Sequence, residues 1–187
     1  MGLSGMQEEQ VRNIILVGFM GSGKSSVGRA LSRLCGWPRV DADDEIVSRA
    51  GKPIADIFRD SGEDAFRALE RAVMKDLCEA SGRIISGGGG SFIDEENRRI
   101  MLDGGTVFYL SARPETVHWR VTRGNPNAPA RPLLGAGNPL ERIRELLAQR
   151  APVYAQAHHT IETDDMSTDQ VADAILKICG PVDANNA

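Results

Sequence analysis

Residues 18–25 read Gly-Phe-Met-Gly-Ser-Gly-Lys-Ser, which is Gly-x4-Gly-Lys-Ser placed directly after an apolar run at 14–17 and directly before a helical pattern. Glycines at this spacing let successive backbone N–H groups curl around phosphate oxygens, and the helix start that follows adds partial positive charge. In that geometry Lys24 reaches the β- and γ-phosphates of a purine triphosphate and Ser25 is placed to hold Mg²⁺, while Gly21, Ser22, Gly23 and Ser26 complete the cradle.

A phosphate loop does not name its acceptor, so the other polar groups must. Asp41 and Asp43 form Asp-x-Asp at the end of a short second strand, where one carboxylate can organise metal-bound water and the other can orient an acceptor hydroxyl. Asp43, Asp44 and Glu45 equally suit the acidic first turn of a helix. Ser-Gly-Gly-Gly-Gly-Ser at 86–91 follows a third strand, and such a run either admits close backbone approach to a ligand or forms a flexible turn. Of the 22 basic residues, 18 are Arg, and Arg67, Arg131 and Arg150 fall in segments suited to a cleft, where guanidinium takes carboxylate or phosphate in a planar, bidentate way. Arg67 can also form an i, i+3 surface pair with Glu70, and Arg150 can cap a helix end. Phe58 and Phe66 suit either an apolar wall of a site or core packing. A GTPase would need Asn-Lys-x-Asp to read its base, and none occurs; the chain is too short for a motor ATPase. A kinase for a small acceptor remains.

These residues must be placed by strands and helices that alternate. The β-branched runs predict strands at 14–17, 39–41, 84–86, 106–110 and 160–162, spaced for an α/β fold with a parallel sheet of about five strands. Val27, Ala30, Leu31 and Leu34 predict a helix that stops at Gly36, and Phe66, Leu69, Val73 and Leu77 predict a longer one that stops at Gly82. Pro114 and Pro139 open two more, and Val171, Ala174, Ile175 and Ile178 mark the last. One segment, 124–137, is rich in Gly, Pro, Asn and Ala yet carries Arg131, which marks a functional loop or a disordered one. Residues 1–12 and 181–187 are expected to be loose tails around a single domain at 13–180.

Composition narrows the partners. A net charge of −4 with no basic run argues against nucleic acid, and no apolar stretch approaches the ~20 residues of a membrane span. The N-terminus lacks signal-peptide and myristoylation patterns, so a cytoplasmic enzyme is expected. Cys35, Cys78 and Cys179 read as reduced core residues, and no zinc spacing joins them to His118, His158 or His159.

Taken together, Gly-Phe-Met-Gly-Ser-Gly-Lys-Ser at 18–25, Asp-Ala-Asp at 41–43, Ile-Ala-Asp-Ile-Phe at 54–58, Gly-Glu-Asp-Ala-Phe-Arg-Ala-Leu-Glu at 62–70, Gly-Gly-Gly at 87–89, Arg-Pro-Leu-Leu at 131–134 and Arg-Ala-Pro-Val-Tyr at 150–154 resemble the shikimate kinases, over about residues 13–178. The resemblance implies a P-loop nucleoside monophosphate kinase-like fold with helices on both sheet faces, a substrate-binding segment at about 41–70 and a lid at about 120–137. It implies a monomer with ATP and Mg²⁺ as cofactors and transfer of the γ-phosphate to the 3-hydroxyl of shikimate, in the pathway to chorismate and the aromatic amino acids. It further implies that Arg67 and Arg150 clamp the shikimate carboxylate and that Asp43 holds the ring hydroxyls as the base. Asp41 would join Ser25 around Mg²⁺, Gly88 and Gly89 would offer N–H groups to substrate, and Arg131 would close over the phosphates. Arg120, with Arg123 as the alternative, would pack against adenine. The stretch before Arg131 is about four residues longer than the family pattern, and Ser86 and Gly90 also depart from it. A gluconate kinase has the same architecture and a similar acceptor, and a ligand sensor of this fold is the reading from another class.

Overall fold

The computed structural model describes residues 11–123 and 138–182. Strand β1, Asn13–Val17, is five residues with no polar alternation, so it is stable only where both faces are covered. It lies third in an all-parallel sheet of order β2-β3-β1-β4-β5, with β2 at Arg39–Asp41, β3 at Arg83–Ser86, β4 at Thr106–Ser111 and β5 at His159–Glu162. Each strand falls within one residue of its predicted bounds, because β-branched runs bounded by turn residues are the strongest strand signal.

The two-residue period of the strands splits the core. Ile15, Val17, Ile85 and Val107 face α2 (Ala42–Ala50), α3 (Ile54–Glu79) and α4 (Glu95–Gly104). Ile14, Leu16, Ile84, Phe108 and Leu110 face α1 (Lys24–Cys35) and α7 (Thr168–Cys179). A smaller cluster of Phe19, Ala112, Val117, Ile143 and Leu146 seats α5 (Pro114–Arg123) and α6 (Pro139–Tyr154). Full burial of each such aliphatic side chain contributes roughly 1.5–3 kcal/mol, so both sheet faces hold β1 in place.

The helix ends follow their signals. Gly36 takes the left-handed conformation and caps α1, Asn138 accepts from Leu140 N–H ahead of Pro139, and Ser167 with Gln170 forms a capping box on α7. Three features differ from expectation. Helix α3 starts at Ile54 and is interrupted at Gly62, whose φ of 80° forces a kink, so the Phe66 stripe is only its second half. Helix α4 was absent from the periodicity because Ile100, Met101 and Leu102 are consecutive, although Asp94 caps it by accepting from Asn97 N–H at 3.0 Å. The expected tails are too long: Val11 and Val182 pack against the α1/α7 side, and Arg12 C=O accepts from Gly82 N–H at 2.7 Å. The expected lid with Arg131, and the remainder of both tails, lie outside the described residues.

Parallel strands gather the loops that follow them at one sheet edge. The phosphate loop after β1, Asp41 at the end of β2, the glycine run after β3 and Thr163 after β5 therefore share one side of the molecule.

Candidate functional site

The 18–23 loop ends at Gly23, whose left-handed backbone starts α1. Lys24 folds back so that Nζ donates to the carbonyls of Gly18 at 2.8 Å and Phe19 at 3.1 Å, which keeps its charge over the loop. A cavity of about 500 Å³ opens above, lined by Gly21, Ser22, Gly23, Lys24, Ser25, Ser26 and, across it, Arg120, Thr163, Met166 and Thr168. Ser22 is 1% exposed and its hydroxyl has no partner among the described residues, whereas Ser26 is exposed and accepts from Arg29 at 3.1 Å. Arg120 is wedged rather than free: it donates to Thr163 Oγ1 at 3.0 Å, Thr163 O at 2.9 Å, and Gly21 O and Ser22 O at 3.4 Å each. The side chain of Arg123 lies outside the described residues. Thr163, Met166 and Thr168 were not found from sequence, since nothing in their types marks them and only their position after β5 brings them to this wall.

Asp41 ends β2 and caps α2, accepting from Asp43 N–H at 3.2 Å with Oδ1 while Oδ2 accepts from Arg39 at 3.2 Å. Asp43 separates from the merely helical acids: Asp44 is exposed and Glu45 pairs with Arg49, but Asp43 turns inward. Its carboxylate lies on Gly88 so closely that a Cβ there would stand 2.6 Å from Asp43 Oδ1 and 2.9 Å from Ser91 Oγ. Only glycine fits. Burial, then the carboxylates of Asp41 and Glu70, push the Asp43 carboxyl up to about 6, against the opposing pull of the Lys24 ammonium.

The glycine turn is where the elements meet. A Cβ on Gly90 would lie 3.8 Å from Arg67 Nη2, and one on Gly89 would lie 3.9 Å from Met20 N of the phosphate loop. Arg150 donates to Gly89 O at 3.1 Å and holds its guanidinium 5.3 Å from the Phe19 ring centre. Arg67 pairs with Glu70 at 2.7 Å, but the surface-pair reading fails because Glu70 is 2% exposed. Glu70 also accepts from Ser91 Oγ at 2.7 Å and Asn97 Nδ2 at 3.1 Å, so a buried carboxylate fully supplied with donors aims Arg67. Phe66 is core, and Phe58, its ring tilted 30° to that of Phe66 at 4.5 Å, is 39% exposed and is the one of the two that solvent reaches. Thus Asp43, Arg67 and Arg150 converge on one turn while Lys24 and the nucleotide-sized cavity stand beside it.

Comparison with known proteins agrees with this geometry. The family model "Shikimate kinase" matches residues 20–179. A shikimate kinase of Rhizobium leguminosarum bv. trifolii is 42% identical over 166 residues, covering 89% of this chain and 83% of that protein. One of Thermus thermophilus is 43% identical over 164 residues, 88% of each. The structure of the Acinetobacter baumannii shikimate kinase in complex with shikimate superposes with a TM-score of 0.81 at 37% identity, covering 91% of this chain and 93% of that one. A gluconokinase from Sinorhizobium meliloti 1021, at a TM-score of 0.56 and 15% identity over 90% of this chain and 91% of its own, shares the fold alone. On the family model and on relatives above 40% identity over most of its length, the chain belongs to the shikimate kinase family.

Proposed function

We propose that this chain transfers the γ-phosphate of ATP to the 3-hydroxyl of shikimate, giving shikimate 3-phosphate and ADP. The observation that carries the reading is the convergence of Asp43, Arg67 and Arg150 on the Gly88–Gly90 turn beside Lys24. Shikimate offers one carboxylate and three hydroxyls. Arg67 and Arg150 supply two guanidinium groups for the carboxylate, and Asp43 accepts from a ring hydroxyl and takes its proton. A carboxylate whose pKa stands near 6 is ionised at neutral pH yet more basic than an ordinary Asp, which suits that task. Gly88 and Gly89 offer backbone N–H groups to the acceptor. Lys24 leaves its loop carbonyls for the transferring phosphate, Ser22, Gly23 and Ser26 cradle the others, and Arg120 forms the wall for adenine. Arg131 is assigned to the lid, where it excludes water and meets the phosphates.

The donors near Lys24 fit Mg²⁺. Ser25 and Asp41 are oxygen ligands of the kind a hard divalent cation takes, and the buried hydroxyl of Ser86, paired with Asp41 in the sheet register, has no partner among the described residues. Ser25 would hold the ion directly and Asp41 through water. When bound, it neutralises charge on the phosphate oxygens.

ADP release from MgATP, assayed with shikimate, quinate, gluconate and no acceptor, tests the reading. Release with shikimate supports it; release with gluconate but not shikimate overturns the acceptor, and tight shikimate binding without release makes the chain a sensor. The reading includes a cytoplasmic monomer, checked by sedimentation and fractionation. Among the described residues no helix is long and apolar enough to cross a membrane.

Two variants test the acceptor side. Arg150→Ala removes a charge-assisted pair, so the shikimate KM rises by about 30-fold or more, from ~2–4 kcal/mol, while the ATP KM holds. Gly88→Ala pushes a methyl group into the Asp43 carboxylate, and kcat/KM for shikimate falls about 100-fold by displacement of the base. Unchanged steady-state constants would remove either residue from the site.

A further inference from the structure

The Arg-Ala-Pro-Val-Tyr segment ends on a residue to which the chemistry above gives no task. Tyr154 closes α6 and is 1% exposed. Its ring is nearly parallel to two others, Tyr109 of β4 at 4.5 Å and 8° and Phe92 at 6.5 Å and 6°. These ring contacts and its burial hold the plane of the ring and therefore the place of the hydroxyl. That hydroxyl donates to Gly89 O at 3.1 Å, and Arg150, one turn back on the same helix, donates to the same oxygen at 3.1 Å.

The rest of the glycine turn is held by its own backbone. Ser91 N–H donates to Gly88 O at 3.2 Å and Ile93 N–H donates to Gly90 O at 3.0 Å. The plane between Gly89 and Gly90 is instead held by these two α6 side chains. In a trans peptide the C=O and the following N–H point in opposite directions, so drawing Gly89 O toward α6 turns the Gly90 N–H away from α6. Glycine peptides rotate readily, and a plane with no restraint at this point would lose that direction.

We infer that Tyr154 is a positioning residue of the acceptor site: its hydroxyl holds the Gly89 carbonyl, and with it the Gly89–Gly90 peptide plane that adjoins the Gly88 and Gly89 N–H groups, while Arg150 is drawn to the substrate carboxylate. The inference rests on the assignment of Arg150 to the acceptor. A guanidinium shared between a neutral carbonyl and an arriving carboxylate moves toward the charge, because charge-assisted hydrogen bonds are roughly twice as strong. The tyrosine hydroxyl is under no such competition. Burial pushes its ionisation above the ordinary tyrosine value, so it remains a donor throughout the working pH range.

Tyr154→Phe removes the O–H and keeps the ring stack, which makes it the test. The shikimate KM is expected to rise about tenfold, with the ATP KM within about twofold and the melting temperature nearly unchanged. In the substrate-free protein, hydrogen exchange of the amides at 89–91 should quicken several-fold. Tyr154→Leu, which also breaks the stack, supplies the contrast, because it lowers the melting temperature and raises both Michaelis constants. If Tyr154→Phe leaves the shikimate KM and the exchange unchanged, or raises both KM values together, the inference is overturned. If the exchange quickens but the wild-type protein shows no turnover of shikimate, the restraint on Gly89 stands and it is the acceptor assignment that fails.

Discussion

Asp43→Asn is expected to leave a protein that folds and binds nucleotide with near wild-type affinity but turns over about 1,000-fold more slowly, because the amide cannot accept the acceptor proton. The same substitution should stabilise the fold at neutral pH. The carboxyl titrates near 3.8 when unfolded and near 6 in the native protein, so between those values the native state binds more protons. Stability therefore falls as pH rises through that window, and the loss is complete above about 6, amounting to up to ~3 kcal/mol. An uncharged isostere escapes that cost. Melting of metal-free, nucleotide-free protein at pH 7.5 should show the variant several degrees above wild type, with the gap closing toward pH 4. A variant that melts lower at pH 7.5 would contradict the strain placed on Asp43, and parallel loss of ATP binding would contradict its place on the acceptor side.

Glu70→Leu is expected to have the largest effect on stability, about 3–5 kcal/mol. The carboxylate is 2% exposed and serves Arg67, Ser91 and Asn97 at once. Leucine fills the volume but leaves the Arg67 guanidinium, among the described residues, with the exposed Glu63 at 3.3 Å as its ion-pair partner and the Phe66 ring at 5.3 Å, and takes the Glu70 acceptor from two buried donors. Glu70→Gln keeps an acceptor for Ser91 and separates hydrogen bonding from charge, so it should lose about half as much. Urea midpoints measure both. A loss below about 1 kcal/mol for the leucine variant would mean that removal of the charge offsets the broken bonds. In either variant Arg67 loses its aim, and the shikimate KM should rise.

Much of this architecture could be read before the structure. The strands and most helices were legible because β1, β3 and β4 are apolar without interruption and because Gly36, Pro139 and the glycine run mark ends and turns. The phosphate loop was legible because its chemistry demands particular residues in sequence. What could not be read depends on long-range proximity. Asp-x-Asp marked Asp43, but an acidic first turn fitted Asp43 and Asp44 alike, and the contact that settles which turns inward, Asp43 on Gly88, is 45 positions away. Glu70 looked like the partner of a surface arginine, since i, i+3 spacing is blind to the Ser91 and Asn97 side chains that close over it. Phe58 and Phe66 carried the same pattern, and the kink at Gly62 decides which of them is core. Tyr154 entered the sequence reading only as the last residue of Arg-Ala-Pro-Val-Tyr, with no role of its own.

The position of β1 in the sheet also sets an order of events during synthesis. Its partners are far along the chain: Ile14 pairs with Ile84, 70 residues later, and with Thr106, 92 residues later. Loop closure on that scale is slow relative to helix formation, and a ribosome extends the chain at roughly 5–20 residues per second. The Ile-Ile-Leu-Val segment therefore emerges seconds before either neighbour exists, with both of its faces apolar and unpaired. Until β3 and β4 arrive the phosphate loop has no strand to spring from. Nucleotide cannot template the early chain, and a fragment ending before Arg83 should neither bind ATP nor remain soluble.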